Sequence, residues 1–130
     1  MARTHQGTRM TDTDIIKRAV ELAPGWDLTE GQLTLPSGHF FVLNDVHAMP
    51  RFENPIQAWM LDALAAALVR EVDATDAGYH VRTYPNMSEI LTTWDVVKQR
   101  AEGPDRTENT MKVCVEFLNA YRSEDAPQSR

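Results

Sequence analysis

Two hydrophobic periods alternate along the chain, and the alternation lays out its elements. Ile15, Ala19 and Leu22 recur at helical spacing, with Ile16, Val20 and Ala23 beside them, which is the pattern of one apolar helix face. Thr11-Asp12-Thr13-Asp14 supplies N-cap candidates and places acidic residues at the positive end of the helix dipole. Pro24-Gly25 ends the helix. From Trp26 the period falls to two: Trp26 and Leu28, then Leu33 and Leu35, alternate with polar residues, and Glu30-Gly31 reads as a hairpin turn. Pro36-Ser37-Gly38 is a second turn, followed by the continuous apolar strand His39-Phe40-Phe41-Val42-Leu43, expected to be covered on both faces. Residues 44–53 read as a loop.

Asn54-Pro55 is a helix start, with Asn as cap and Pro at the first helical position. The helix is expected to reach about Val72. Ile56, Met60, Leu64 and Leu68 form its stripe, and Leu61, the alanines and Val69 widen it until little polar face remains. A helix that is apolar nearly all round is normally the central one. After Asp76-Ala77-Gly78, Tyr79, Val81 and Thr83 alternate with His80, Arg82 and Tyr84 as in a strand, and Pro85-Asn86 is a turn. Residues 88–100 fit a helix through Ile90, Leu91, Trp94 and Val97, but their β-branched content favours a hairpin with Asp95 near its turn. Asp105 or Thr107 caps a last helix with Met111, Cys114, Val115, Leu118 and Tyr121 along one face.

The expected architecture is α+β: a single domain over residues 10–122, with three helices packed on a small antiparallel sheet in the order α-β-β-α-β-β-α. Residues 1–9 and 123–130 are polar and expected to be disordered. The 130 residues and 42% hydrophobic content suit one core.

Charge narrows the function. The formal net charge of -6 argues against broad binding to phosphate backbones, which needs clustered Lys and Arg. Direct nucleic-acid binding is therefore not expected, whereas an acidic face can meet a basic partner. A single cysteine, Cys114, excludes an internal disulfide and fits a reduced compartment. No apolar run is long enough to span a membrane, and residues 1–9 lack the apolar stretch of a secretory signal.

Candidate chemistry is sparse. No cofactor is expected, since the six glycines fall as turn punctuation and form no phosphate-binding loop. His39, Asp45 and His47 carry metal-ligating groups, but their spacing matches no established zinc pattern, and a capping Asp beside solvent-facing histidines is the favoured reading. Cys114 lies on an apolar helix stripe and is expected to be a core thiol rather than a nucleophile. Trp59 and Trp94 are large enough to anchor an interface, but their spacings favour a place in the core. His80, Arg82 and Tyr84 share one strand face, which is either solvated or a place for a partner. Arg51 and Phe52 adjoin in a loop with no core register, a composition enriched at interfaces.

The stretches Met10-Thr11-Asp12-Thr13-Asp14-Ile15-Ile16, Asn54-Pro55-Ile56-Gln57-Ala58-Trp59 and Asp105-Arg106-Thr107-Glu108-Asn109-Thr110-Met111-Lys112 carry a resemblance. In their order the chain resembles small phage and prophage proteins of the α-β-α sandwich type. The resemblance implies an accessory protein of a bacterial cytoplasm that binds and redirects a host protein, such as a defence or nucleic-acid-handling factor. It brings no catalytic residues. The expected function is thus protein–protein binding without catalysis. A small metal-dependent enzyme using His39, Asp45 and His47, or a homodimer built on surplus apolar surface of the Asn54 helix, are the alternatives.

Overall fold

The computed structural model describes residues 11–29, 31–42, 58–75 and 78–128, the last with side chains to Arg122. Helix α1 (Asp12–Leu22) opens with a capping box. Thr11 Oγ1 accepts from the Asp14 N–H at 3.2 Å, and the Asp14 carboxylate accepts from the Thr11 N–H at 3.3 Å. Its face of Ile15, Ile16, Ala19, Val20 and Leu22 is buried. Three short strands follow, β1 (Asp27–Thr29), β2 (Gln32–Thr34) and β3 (Phe40–Val42), forming an antiparallel sheet in that order. Gly31 closes the first hairpin at a φ of 75°, and Gly38 closes the second at 95°. Both are in the left-handed region that glycine enters without steric penalty.

Helix α2 (Ala58–Asp73) leads to a second antiparallel sheet of β4 (His80–Tyr84), β5 (Met87–Leu91) and β6 (Val97–Glu102). Helix α3 (Arg106–Gln128) closes the chain. Asp105 is its cap, accepting from the Glu108 N–H at 3.1 Å. The α+β class and the order of helix and strand blocks agree with the sequence pattern, and each strand block is a three-stranded sheet of its own. Residues 88–100 form the β5–β6 hairpin with Asp95 in its turn, as the β-branched content favours.

Helix α3 is the centre of the molecule. It contacts α1, α2 and all three strands of the second sheet. Burial runs round it, from Thr110 and Met111 through Val113, Cys114, Val115, Phe117 and Leu118. This corrects the expectation that the Asn54 helix is central. Helix α2 buries Met60, Leu61, Leu64, Ala65, Ala67, Leu68 and Val72, but it exposes Trp59, Asp62, Ala66, Arg70 and Asp73 on its other side. Alanine is a strong helix former that water tolerates, so Ala58 and Ala66 add to the apolar count of the helix while facing solvent.

Other expectations also change. Phe40 and Val42 are 60% and 65% exposed, so β3 is not covered on both faces; among the described residues of the strand, Phe41 leans on the core. Helix α3 continues to Gln128 through residues expected to be a disordered tail. The cap at Asn54-Pro55 lies outside the described residues. No helix among the described residues is long and apolar enough to cross a membrane.

Candidate functional site

The second sheet has one face on α3 and one face away from it. Side chains alternate between the faces of a strand. Ser88 meets Thr110 of α3 at 2.9 Å and Gln99 meets Glu116 of α3 at 3.0 Å, so these residues mark the inner face. The opposite parity puts His80, Arg82 and Tyr84 on the outer face of β4, and Met87, Glu89 and Leu91 on that of β5. Arg100 and Glu102 continue it on β6.

Across this outer face runs a row of three charges. Arg82 pairs with Glu89 in the β4–β5 register, and Glu89 pairs with Arg100 in the β5–β6 register. Arg100 donates through Nε at 3.1 Å and Nη2 at 2.8 Å to Glu89 Oε2. Glu89 is only 5% exposed although it faces outward from the sheet. Both arginine side chains stay about half open to solvent.

The turn between β5 and β6 is fixed from several sides. Thr92 Oγ1 accepts from the backbone N–H of Trp94 at 3.2 Å and of Val96 at 3.1 Å. Thr93 Oγ1 donates to the Gly78 carbonyl at 3.2 Å. Asp95 has a φ of 62°, a conformation that Asp tolerates better than most residues. Its Oδ1 accepts from Arg82 Nη2 at 3.1 Å and lies 3.8 Å from His80 Nε2. The guanidinium of Arg82 is held in its charged form by Tyr84 first and by Asp95 after it. Trp94 stands at the tip of this braced turn, 85% exposed, with Val96 and Val97 exposed beside it.

Trp94 and Trp59 therefore correct the expectation of core tryptophans; Trp59 is 55% exposed near the start of α2. For Trp94 the reason is the hairpin. In the helical reading Trp94 shares the stripe of Ile90, Leu91 and Val97, but as a turn residue it leaves the register altogether.

His80, Arg82 and Tyr84 share one face of β4, as the strand alternation predicts, while Leu91 and Glu89 on the same face of β5 are buried. Glu89 and Arg100 join that face through the cross-strand register and were not singled out by the residue pattern, and Asp95 reaches it from the turn. The signal for Glu89 lies at Pro85-Asn86: a two-residue turn there pairs Tyr84 with Met87, and so Arg82 with Glu89. His39 lies in the turn before β3, exposed, with Nδ1 2.8 Å from Ser37 Oγ. It lines a shallow depression with Ser37, Gly38 and Phe40. Asp45, His47, Arg51 and Phe52 lie outside the described residues. Among the described residues no group of three or more His, Cys, Asp or Glu side chains is arranged to hold a metal ion. Cys114 is buried in the core, and burial, with Asp73 adding to it, pushes its thiol up to about 12, which keeps it protonated and unreactive.

Compared with protein-family models, with curated proteins and with solved structures, the chain has no significant match.

Proposed function

We propose that the protein is a non-enzymatic accessory protein of the phage or prophage kind, which acts in the bacterial cytoplasm by binding a host protein and covering a site on it. The observation that carries the reading is Trp94. Its side chain is 85% exposed, and Val96 and Val97 are exposed beside it, so the turn presents a cluster of apolar residues to solvent. Here the turn that exposes it is held by Thr92, Thr93 and Asp95, so the exposure is specified by the local hydrogen bonds rather than by slack. A rigid aromatic anchor loses little entropy on association, and Trp and Arg dominate the residues that carry binding energy. The β5–β6 turn supplies the Trp, and the neighbouring strands supply Arg82 and Arg100.

The test is affinity capture from a bacterial host lysate with three baits: the wild-type chain, Trp94→Ala and Trp59→Ala. The expected result is one stoichiometric host protein retained by the wild type and by Trp59→Ala and lost by Trp94→Ala. Equal capture by all three baits, or capture by none, counts against this surface.

A further inference from the structure

We infer that β3 is an open sheet edge on which a second copy of this chain adds, β3 against β3, antiparallel about a twofold axis at Phe41. The first sheets of the two copies then become one continuous sheet. Trp94 belongs to the other sheet, and neither surface needs the other.

The backbone of β3 has one side open among the described residues. Leu35 N–H donates to the His39 carbonyl at 2.8 Å, and Leu33 faces Phe41 in the β2–β3 register. Alternate residues of an antiparallel strand turn their N–H and C=O groups to opposite sides. His39 and Phe41 therefore bond toward β2, while Phe40 and Val42 turn theirs to the far side. β3 is the last strand of its sheet, and among the described residues no element but β2 brings its backbone close to it. An edge of this kind is a template for another extended chain.

The side chains suit that use. Phe40 and Val42 are exposed and share the face away from the core, opposite Thr34 and Gln32. Between Glu30 and Asp45 the chain has no Asp, Glu, Lys or Arg. Proteins ordinarily keep an edge from pairing with charges, bulges or cover. The other edges have these devices. β6 carries Lys98, Arg100 and Glu102, with a register shift opposite Ile90 and Leu91. β4 lies against α2, and β1 against α1. Among its described residues β3 has neither charge nor bulge.

Complementarity selects a second copy. With Phe41 on the axis, Phe40 of each copy faces Val42 of the other, and each facing pair exchanges two backbone hydrogen bonds. An aromatic opposite a β-branched residue is a favourable cross-strand pair. Two chains of net charge -6 repel one another, and here they meet along a segment whose strand adds nothing to that repulsion. The same patch serves both copies, so the contact closes at two. A strand of 3 residues a side buries far less than the roughly 1,200 Å² at the low end of stable interfaces. The dimer is therefore weak, and concentration sets its population.

The test is sedimentation velocity from about 10 μM to about 1 mM protein. The samples are the wild type, Val42→Pro, Val42→Lys, the exchanged pair Phe40→Val with Val42→Phe, and Trp94→Ala. Proline at 42 removes an N–H that points away from β2, a change edge strands tolerate. Melting curves show whether it unfolds the hairpin, and Val42→Lys reports on the same edge in that case. The expected result is a reversible monomer–dimer equilibrium with a Kd of about 0.1 mM, weakened about tenfold or more by either Val42 variant. The exchanged pair and Trp94→Ala should dimerise as the wild type does. A wild type that stays monomeric, or a dimer that survives in both Val42 variants, would overturn the proposal and leave the Trp94 reading standing. Loss of the dimer in Trp94→Ala would move self-association to the other sheet and overturn it too. Species growing beyond the dimer would contradict a closed pairing, and a monomeric exchanged pair would contradict the facing of residues 40 and 42. A monomeric wild type that binds a Thr-Val repeat peptide, and loses it in Val42→Pro, would make a foreign strand the occupant and defeat the choice of a second copy.

Discussion

Ser88 Oγ of β5 lies 2.9 Å from Thr110 Oγ1 of α3, and this buried contact ties the second sheet to the central helix. Both residues sit among apolar neighbours, and Ile90 follows Ser88 on the same face. A buried hydroxyl that loses its partner costs about 1–3 kcal/mol, whereas removing both partners of a pair is nearly neutral. Ser88→Ala and Thr110→Val are each expected to lower the unfolding free energy by about 1 kcal/mol or more, and the double variant by less than the sum. Urea unfolding of the four proteins checks this; strict additivity would mean that the two hydroxyls do not depend on one another.

Cys114 should react with a thiol reagent only through unfolding. Its thiol is buried and pushed up to about 12. A group whose folded pKa is raised stabilises the fold below its unfolded value, and the contribution is lost as pH rises through the folded value. The alkaline window from about pH 9 to 12 is therefore where Cys114 adds a loss of stability. In Cys114→Ala that part of the alkaline loss should vanish, although the small cavity lowers stability at neutral pH. Denaturant midpoints of both proteins at pH 7 and pH 10 test it, and parallel falls would contradict the burial argument.

The surface anchor and the core should respond oppositely to truncation. Trp94 touches little of its own protein, so Trp94→Ala is expected to change stability by no more than about 0.5 kcal/mol. Leu64 and Leu118 are fully buried, and either Leu→Ala change should cost roughly 2–5 kcal/mol. A thermal scan separates the two. A large loss on Trp94→Ala would show that the indole is a packing residue and not a free anchor.

Legibility in the sequence tracked how local each cause is. The first helix was readable because its cap, Thr11 with Asp14, lies three residues apart, and because its apolar face repeats without interruption. The Asp95 turn was readable because β-branched residues flank it on both sides. The centrality of α3 was not, since it depends on neighbours on two sides: Val113 and Phe117 look like ordinary additions to a stripe until a sheet and two helices close around them. The outer face was half legible. Alternation gave His80, Arg82 and Tyr84, but Glu89 and Arg100 join them only through cross-strand register, and Asp95 only through a turn that folds back toward β4.

The meeting of α1 and α3 at their N-terminal ends should be sensitive to mild acid. Burial raises the carboxyl of Glu108 above the ordinary glutamate value, and the Asp12 carboxyl adds to the rise through a shared hydrogen bond and by repulsion, partly offset by Lys112. A proton held more tightly by the folded chain than by the unfolded one stabilises the fold at low pH. That contribution is full below the unfolded value of Glu108 and is lost as pH rises through its folded value. Glu108→Gln mimics the protonated state at every pH. It should therefore raise the melting temperature at pH 7, and the gain should shrink as pH falls toward the ordinary glutamate range. Asp12→Asn should act in the same direction by removing the neighbouring charge, with part of its gain offset because Asp12 also complements the positive end of the α1 dipole. Melting curves of the three proteins at pH 7 and pH 4.5 decide it. A Glu108→Gln protein less stable than the wild type at pH 7 would mean that the carboxylate is worth more to the start of α3, as an anion at a helix N-terminus, than its repulsion from Asp12 costs.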